Sequence, residues 1–183
     1  MRYDEKHKSR TRQAILRGAR DLAHASGLES LSVEPVMRRA GLTHGGFYNH
    51  FRSRADLIRA TLDAELEQQV AACAKQLVRG PIGEFVEWYL TYEKTHRCAL
   101  VAFASEASRL DKAGRSEFAG RVWQLCQVME DALAARGVAN PRKTALALIA
   151  NLIGTLLLAR ALEPLAEAKS SVDQLIARLI KKP

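Results

Sequence analysis

A short helical segment that begins with two adjacent glycines constrains this fold more than any other feature of the sequence. The segment lies within residues 40–51, AGLTHGGFYNHF, where Gly45 and Gly46 stand directly ahead of two aromatic residues. Each glycine costs roughly 1 kcal/mol relative to alanine inside a helix. The pair therefore indicates a turn where missing side chains serve a close approach to another molecule.

The segments around these glycines carry ordinary signals for the start and end of helices. Apolar residues recur at helical spacing in the first helix, which ends where Gly27 stands as a C-cap glycine. Ser32 can cap a second short helix and Thr43 a third. Ser53 and Asp56 form a capping pattern that opens a long fourth helix. The first third of the chain is therefore predicted to be three short helices closed by a long connecting one.

The rest of the chain also predicts helices, and no stretch of alternating β-branched residues indicates a strand. The expected fold class is all-α, with an N-terminal domain over residues 1–52 and a second helical domain over residues 53–183. Beyond the Gly80-Pro81 break, helices are expected at about 82–95, 98–110, 117–136, 141–163 and 170–181.

Positive charge is concentrated in the first third of the chain. The formal net charge is +8, and residues 1–60 contribute +6 of it. A basic segment attached to a nearly neutral body is typical of a module that binds a polyanion, although a solvated basic face is the alternative. Three scattered cysteines and a charged N-terminus without an apolar stretch favour a reducing, cytoplasmic location.

The sequence carries no feature that advertises catalysis or membrane insertion. The longest apolar run, residues 145–159, is shorter than the ~20 residues that a membrane span needs. No phosphate-binding glycine loop, nucleophile elbow or cluster with metal-ligand spacing is present. We therefore expect no enzyme activity, no cofactor, no metal and no membrane partner.

A helix, a glycine-containing turn and a short helix inside a basic unit form the arrangement of a helix-turn-helix. Its second helix enters the major groove of DNA with its N-terminal residues first. Phe47 and Phe51, four residues apart, are expected to point inward and anchor that helix. The outward side carries groups suited to phosphates and base edges, on Thr43, His44, Tyr48 and Asn49, followed by Arg52 and Arg54. Arg38 and Arg39 read as surface residues or as DNA contacts.

Residues 9–62 resemble the N-terminal domain of the tetracycline-repressor (TetR/AcrR) family of bacterial transcriptional regulators. The resemblance runs through Thr11-Arg12, Ile15, AGLTHGGFYNHF and the following SRADLI. It implies a homodimeric repressor that binds an inverted-repeat operator in double-stranded DNA and is released by a small, often hydrophobic effector. Residues 1–52 would then be the helix-turn-helix DNA-binding domain, and residues 53–183 the helical domain for effector binding and dimerisation. By position the resemblance implies phosphate contacts from Thr43, Gly45, Tyr48, His50 and Arg54, and base reading at or beside Gly46 and Asn49. His44 stands where the family often has lysine. The residues alone leave open a core role for Tyr48 and a bracing role for His50.

Segment 141–163 is apolar on nearly every side, which predicts that it is buried on most of them. In a chain of this size, such a helix indicates an interface as well as a core. Ala150, Gly154 and Leu158 are spaced to let another helix approach. The resemblance implies a dimer built as a four-helix bundle from the last two long helices of each subunit, and a purely intrachain core helix is the alternative.

An aromatic-rich stretch between residues 85 and 129 predicts an effector pocket, because apolar walls with a few polar groups are typical of ligand sites. Ordinary core packing is the alternative. The predicted pocket residues are Phe85, Trp88, Tyr89, Tyr92, His96, Phe103, Trp123, Cys126 and Met129, with Asn151 and Thr155 as polar positions on the apolar helix. Cys98 follows His96 and Arg97, whose charge would favour a reactive thiolate. It is therefore either a redox sensor or a small buried hydrophobe.

Overall fold

The computed structural model describes residues 2–78, 80–96, 98–162 and 170, without the side chains of residues 2–4, 92–96 and 160–162. These residues form α-helices and two short 3-10 helices, and no strand occurs among them, so the all-α prediction is confirmed. The α-helices are α1 (Arg2–Ser26), α2 (Val33–Arg39), α3 (Arg54–Leu77), α4 (Ile82–His96), α5 (Ala99–Ala107), α6 (Lys112–Ala134) and α7 (Pro141–Leu162). The 3-10 helices are Leu28–Ser30 and His44–Asn49, and the second is called the recognition segment below.

The chain folds into two compact units. The first comprises Met1–Glu65 and Ala102–Phe118, and the second comprises Leu66–Val101 and Ala119–Pro183. Helices α3, α5 and α6 therefore each contribute residues to both units. The functional division between residues 52 and 53 that the sequence suggests stays a prediction.

The core of the first unit anchors the recognition segment. Helix α1 buries Ile15 and Ala19 completely, and Phe47 and Phe51 are buried with them as predicted. The two phenylalanine rings lie 5.6 Å apart between centroids. Burying a side chain of this size contributes about 1.5–3 kcal/mol to stability. The recognition segment is thus held by its inward face, which leaves its other face free.

Two of the predicted helix signals are confirmed in detail. Gly27 follows α1 with a φ of 79°, a left-handed conformation that favours glycine, and its N–H donates to the Ala23 carbonyl at 2.8 Å. At the start of α3, the Ser53 hydroxyl accepts a hydrogen bond from the Asp56 N–H at 3.1 Å. The Asp56 carboxylate in turn accepts one from the Arg52 N–H at 2.9 Å. This reciprocal pair satisfies two donors at the helix N-terminus.

Two other capping predictions are wrong. Ser32 and Thr43 occupy the predicted N-cap positions in extended backbone, but neither side chain makes a cap hydrogen bond. The third helix is also a 3-10 helix rather than an α-helix. It is six residues long and carries two glycines, and short segments with weak helix propensity commonly adopt this tighter form.

Arg136 ties together two helix ends in the second unit. Its guanidinium donates to the Ala132 carbonyl at 2.6 Å and to the Leu77 carbonyl at 2.7 Å, and it also reaches the carbonyl of Gly80. Leu77 is the last residue of α3, so these bonds satisfy carbonyls that a helix C-terminus leaves without partners. The break at Gly80-Pro81 is thereby fixed against the end of α6.

Helix α7 is less buried than predicted. Leu146, Leu157 and Leu158 are exposed, so the helix is not buried on most sides within one chain. It begins at Pro141 as predicted, but its apolar stretch is longer than the run of residues 145–159. Pro141–Ala159 is long and apolar enough to cross a membrane by length and composition alone. Helices in the cores of soluble proteins pass the same test. Apart from residue 170, the predicted helix at 170–181 lies outside the described residues.

Candidate DNA interface

The recognition segment presents its polar side chains to solvent. Thr43, His44, Gly45 and Asn49 are exposed, while Gly46 and His50 are half-buried. Tyr48 is 65% exposed, and its ring meets the buried Phe47 ring at a right angle with centroids 5.2 Å apart. The Tyr48 ring therefore packs against the core but is not buried in it, and its hydroxyl is available to a partner.

Within the described part of the chain, no neighbouring atom requires glycine at the two paired positions. A Cβ at Gly45 would meet no atom within 4 Å, and one at Gly46 would meet only the Met37 side chain, at 3.6 Å. Neither residue has the left-handed backbone that marks Gly27 and Gly41. These glycines lower the helix propensity of the segment, and no contact in the described part of the chain offsets that loss. Any benefit therefore lies in contact with another molecule.

His50 lies where the recognition segment meets α1. Its Nδ1 is buried and has no hydrogen-bond partner among the described residues. Burial lowers the pKa of His50, and the positive charges of Lys8, Arg12 and His7 lower it further. The guanidinium of Arg12 lies over the Phe51 ring, 4.8 Å from its centroid. The N-terminal turns of α1 therefore bring cations beside the end of the recognition segment.

Arg54 has a structural role that the sequence did not reveal. Its guanidinium donates to three backbone carbonyls of the loop that precedes α2, at 2.6 Å to Leu31, 2.8 Å to Glu29 and 3.3 Å to Leu28. On the same loop, the N–H of Leu28 donates to the Glu106 carboxylate at 2.7 Å. Arg54 and Glu106 together fix this loop, and a phosphate contact by Arg54 stays a prediction.

The arginines of α2 are engaged in exposed ion pairs. Arg38 lies 3.7 Å from Glu34 of the same helix, and Arg39 lies 3.7 Å from Asp21 of α1. Exposed pairs of this kind contribute about 0–1 kcal/mol and exchange readily. Both arginines are therefore surface residues that keep the mobility to meet an anion.

Three of the predicted pocket residues come together on α4. The ring of Phe85 lies 5.7 Å from that of Trp88 and 5.8 Å from that of Tyr89. Cys126 and Met129 of α6 are buried in the same unit. The side chains of Tyr92 and His96 lie outside the described residues.

The remaining predicted pocket residues are placed differently. Phe103 belongs to the first unit, where its ring lies 4.8 Å from that of His24. Trp123 is 52% exposed, with the Arg142 guanidinium 5.6 Å from its ring centroid. Asn151 is exposed and donates to the Ala147 carbonyl of its own helix at 2.7 Å. A pocket that includes these three residues stays a prediction.

A buried polar cluster that the sequence did not predict stands beside the α4 aromatics. Gln69 of α3 donates to the Tyr89 hydroxyl at 3.0 Å and to the Cys98 sulfur at 2.9 Å, while its carbonyl accepts from the Ala99 N–H at 3.0 Å. The Tyr89 hydroxyl and the Cys98 sulfur are themselves 3.0 Å apart. Cys98 is therefore buried among polar partners, and the redox-sensor role stays a hypothesis. The signal that a sequence could offer is Gln69, a polar residue within a helix of apolar periodicity.

The positions predicted for the dimer interface lie open in the single chain. Ala150 is exposed, Leu158 is 58% exposed, and a Cβ at Gly154 would meet no atom within 4 Å. Leu157 and Leu146 are exposed on the same helix. Helix α7 therefore presents apolar surface that a monomer leaves in contact with water.

Comparison with known proteins gives a family match in the first third of the chain and structural matches over nearly its whole length. Residues 15–61 match the model of the family described as bacterial regulatory proteins, tetR family. No curated protein matches the chain. Among solved structures, the reduced form of Escherichia coli NemR is 21% identical, covering 94% of this chain and 98% of its own, with a TM-score of 0.79.

Two further solved structures are similar over nearly the whole length. A transcriptional regulator of the TetR family from Agrobacterium tumefaciens is 19% identical, with a TM-score of 0.80, over 94% of this chain and 98% of its own. A TetR transcriptional regulator from Chloroflexus aurantiacus is 24% identical, with a TM-score of 0.79, over 94% of this chain and 96% of its own. At these identities the likeness shows a shared fold.

Proposed function

We propose that this chain is a repressor of the tetR family of bacterial regulatory proteins. Its homodimer binds an inverted-repeat operator and leaves it when a small hydrophobic effector binds. The family match over residues 15–61 and the fold shared with TetR-family structures support a DNA-binding regulator. Repression, dimerisation and release by an effector are the finer part of the proposal.

The proposal rests on the two faces of the recognition segment. One face is anchored in the core, and the other is polar and lacks side chains at its glycines. Phe47 and Phe51 fasten the segment to the core, while Gly45 has open space where a side chain would lie. Main-chain N–H groups at such a turn favour phosphate. We assign phosphate contacts to Thr43, His44, Gly45, Tyr48, His50 and Arg54, and base reading to Gly46 and Asn49.

The homodimer is supported by the exposed apolar surface of α7. Soluble monomers rarely leave a large contiguous apolar patch open, and patches of this kind commonly mark interfaces between proteins. Ala150, Gly154 and Leu158 would let a second copy of the helix approach closely. A twofold dimer matches an inverted repeat whose half-sites lie roughly 34–36 Å apart, or a multiple of that distance.

Effector control is supported by the aromatic side chains of α4 beside a polar cluster. Phe85, Trp88 and Tyr89 provide apolar contact area, and Gln69 provides hydrogen-bonding capacity. An effector releases DNA only if it binds one conformation more tightly than the other, typically by about 1–3 kcal/mol. The remaining predicted pocket residues and Asn151 belong to this proposal as candidates.

Catalysis, a cofactor and a membrane partner form no part of the proposal. Regulators of this family are generally not enzymes and are cytoplasmic. We therefore place the protein in the cytoplasm, associated with the nucleoid when it is bound to DNA. The apolar α7 is accounted for as an interface helix.

The test is DNA footprinting of the full chain on the region around its own coding sequence, against scrambled competitor DNA. The expected result is a discrete footprint over an inverted repeat, with affinity falling by about 10³–10⁵ between 50 and 200 mM salt if ~6–10 phosphates are contacted. The Tyr48→Ala variant should lose the footprint while keeping its fold. Salt-sensitive binding without a footprint on genomic fragments would favour an architectural protein and contradict the proposal.

A further inference from the structure

A run of cations in α1, from Lys6 to Arg17, has no acidic partner among the described side chains. Further along α1, by contrast, Arg20 pairs with Glu65 at 3.8 Å, and on α3 Arg59 pairs with Asp111 at 3.2 Å. Among the residues whose side chains the structure describes, no carboxylate pairs with Lys6, Lys8, Arg10, Arg12 or Arg17. Cations that are not neutralised within the chain raise the local potential and attract an anion.

Two of these cations lie on the same face of α1 as the core of the first unit. Lys8, Arg12, Ile15 and Ala19 follow one another at spacings of three or four residues, which places them in one stripe. Ile15 and Ala19 are completely buried, whereas Lys8 and Arg12 are exposed. The stripe therefore changes from apolar to cationic at the point where α1 passes the end of the recognition segment.

The position of this cationic stretch relative to the recognition segment is fixed by direct packing. The Arg12 guanidinium lies over the Phe51 ring, and Phe51 is itself buried against Phe47. His50, the residue before Phe51, keeps a buried Nδ1 without a partner in the described part of the chain. Lys8 and Arg12 lie close enough to this imidazole for their charges to act on it. Lys8 and Arg12, four residues apart on one helix, carry like charges that repel one another unless an anion is present.

We propose that Lys8, Arg12 and His50 form a phosphate-binding subsite that holds a backbone phosphate of duplex DNA beside the recognition segment. The inference rests on the proposed function and extends it to α1. Lys8 and Arg12 precede residue 15, where the match to the family model begins. The subsite extends the DNA interface to the N-terminal turns of α1, and it adds affinity without reading sequence.

The test uses the full chain and a 30-base-pair duplex of arbitrary sequence, since a phosphate contact needs no operator. Fluorescence anisotropy gives the duplex affinity across a salt series for the wild type, Lys8→Gln and Arg12→Gln. Each lost phosphate contact should reduce the slope of log affinity against log salt by about 0.9. The matched control is Lys143→Gln, which removes one positive charge from an exposed position of α7 in the second unit. Its slope should equal that of the wild type.

The possible results separate this inference from the proposed function. Slopes for Lys8→Gln and Arg12→Gln that equal the Lys143→Gln slope would overturn the subsite and leave the regulator intact. Failure of the wild type to bind any duplex would overturn both. Circular dichroism of each variant shows that the fold is retained, and Lys8→Gln is the decisive variant because its side chain is exposed.

A second arm distinguishes DNA phosphate from the free ion. Millimolar inorganic phosphate replaces chloride at constant ionic strength in the same assay. The expected result is a larger loss of duplex affinity for the wild type than for Lys8→Gln, because the free ion competes with the DNA phosphate for the subsite. If inorganic phosphate raises the Tm of the wild type but not of Lys8→Gln, and leaves the duplex affinity of both equal, the site takes the free ion and the assignment to DNA is wrong.

Discussion

The substitution Gly45→Ala should move stability and DNA binding in opposite directions. A Cβ at this position meets no atom within 4 Å, and the backbone there is not left-handed. Replacing such a glycine by alanine stabilises a protein by about 0.4–1 kcal/mol, chiefly because the unfolded chain loses conformational freedom. For a chain of this size, that corresponds to a rise in Tm of roughly 1–4 °C. If DNA approaches the open space, the added methyl group meets it.

The loss of DNA affinity should be at least about tenfold, which corresponds to 1.4 kcal/mol. The assay combines thermal unfolding with anisotropy on a 30-base-pair duplex. The protein concentration is kept fixed in the unfolding experiment, because the Tm of a dimer depends on concentration. Gly83→Ala is the matched control, since Gly83 is exposed in α4 and a Cβ there also meets nothing within 4 Å. That variant should leave DNA binding unchanged.

Two results would refute the reasoning in different places. A lower Tm for Gly45→Ala would show that the position is not sterically free inside the chain. A normal or raised Tm with unchanged DNA affinity would show that the missing side chain does not serve a close approach. In the second case the glycines would have no explanation in this interface.

Further predictions concern the core, the interface and His50. Phe47→Ala should lower the free energy of unfolding by about 3–5 kcal/mol because it opens a cavity in the core. Tyr48→Ala should change the free energy of unfolding by less than 1 kcal/mol while abolishing operator binding. Equal losses of stability for the two variants in chemical denaturation would contradict this prediction. Leu158→Glu should shift the protein from dimer to monomer in analytical ultracentrifugation, and an unchanged dimer would place the interface elsewhere. Because burial, then Lys8, Arg12 and His7, lower the pKa of His50 in the folded chain, the stability this residue contributes is present above about pH 6.5 and is lost as the pH falls through the lowered value. His50→Gln should flatten that part of the curve of stability against pH, and a curve unchanged by this substitution would contradict the assignment.

Local signals in the sequence predicted those elements whose formation depends on neighbouring residues. Gly27 ends α1 and Ser53 begins α3 because the groups that satisfy each helix end lie within a few residues. The inward orientation of Phe47 and Phe51 follows likewise from their spacing of one helical turn. Ser32 and Thr43 carry the right side chains for a cap, but neither side chain makes the expected hydrogen bond. Residue type alone therefore does not establish a cap.

Interactions between distant parts of the chain left no trace that one sequence could reveal. Glu106 reaches Leu28 across 78 positions, and nothing near either residue marks the pair. Arg54 looked like a phosphate ligand because of its place after the recognition segment, yet its guanidinium donates to carbonyls of a loop 23–26 residues earlier. The burial of α7 within one chain was overestimated because a hydrophobic pattern does not distinguish a core helix from a helix with an exposed apolar side.

The loop before α2 limits how this protein can be divided or recombined. Its carbonyls are held by Arg54 and its Leu28 N–H by Glu106, all within the first unit. A fragment ending at residue 52 would lack both side chains and would leave their backbone partners to water. A chimera that places the DNA-facing segment on another regulator's body would need to carry residues 102–118 or supply an equivalent carboxylate. Because of this loop, a fragment or chimera must keep residues that are far apart in the sequence.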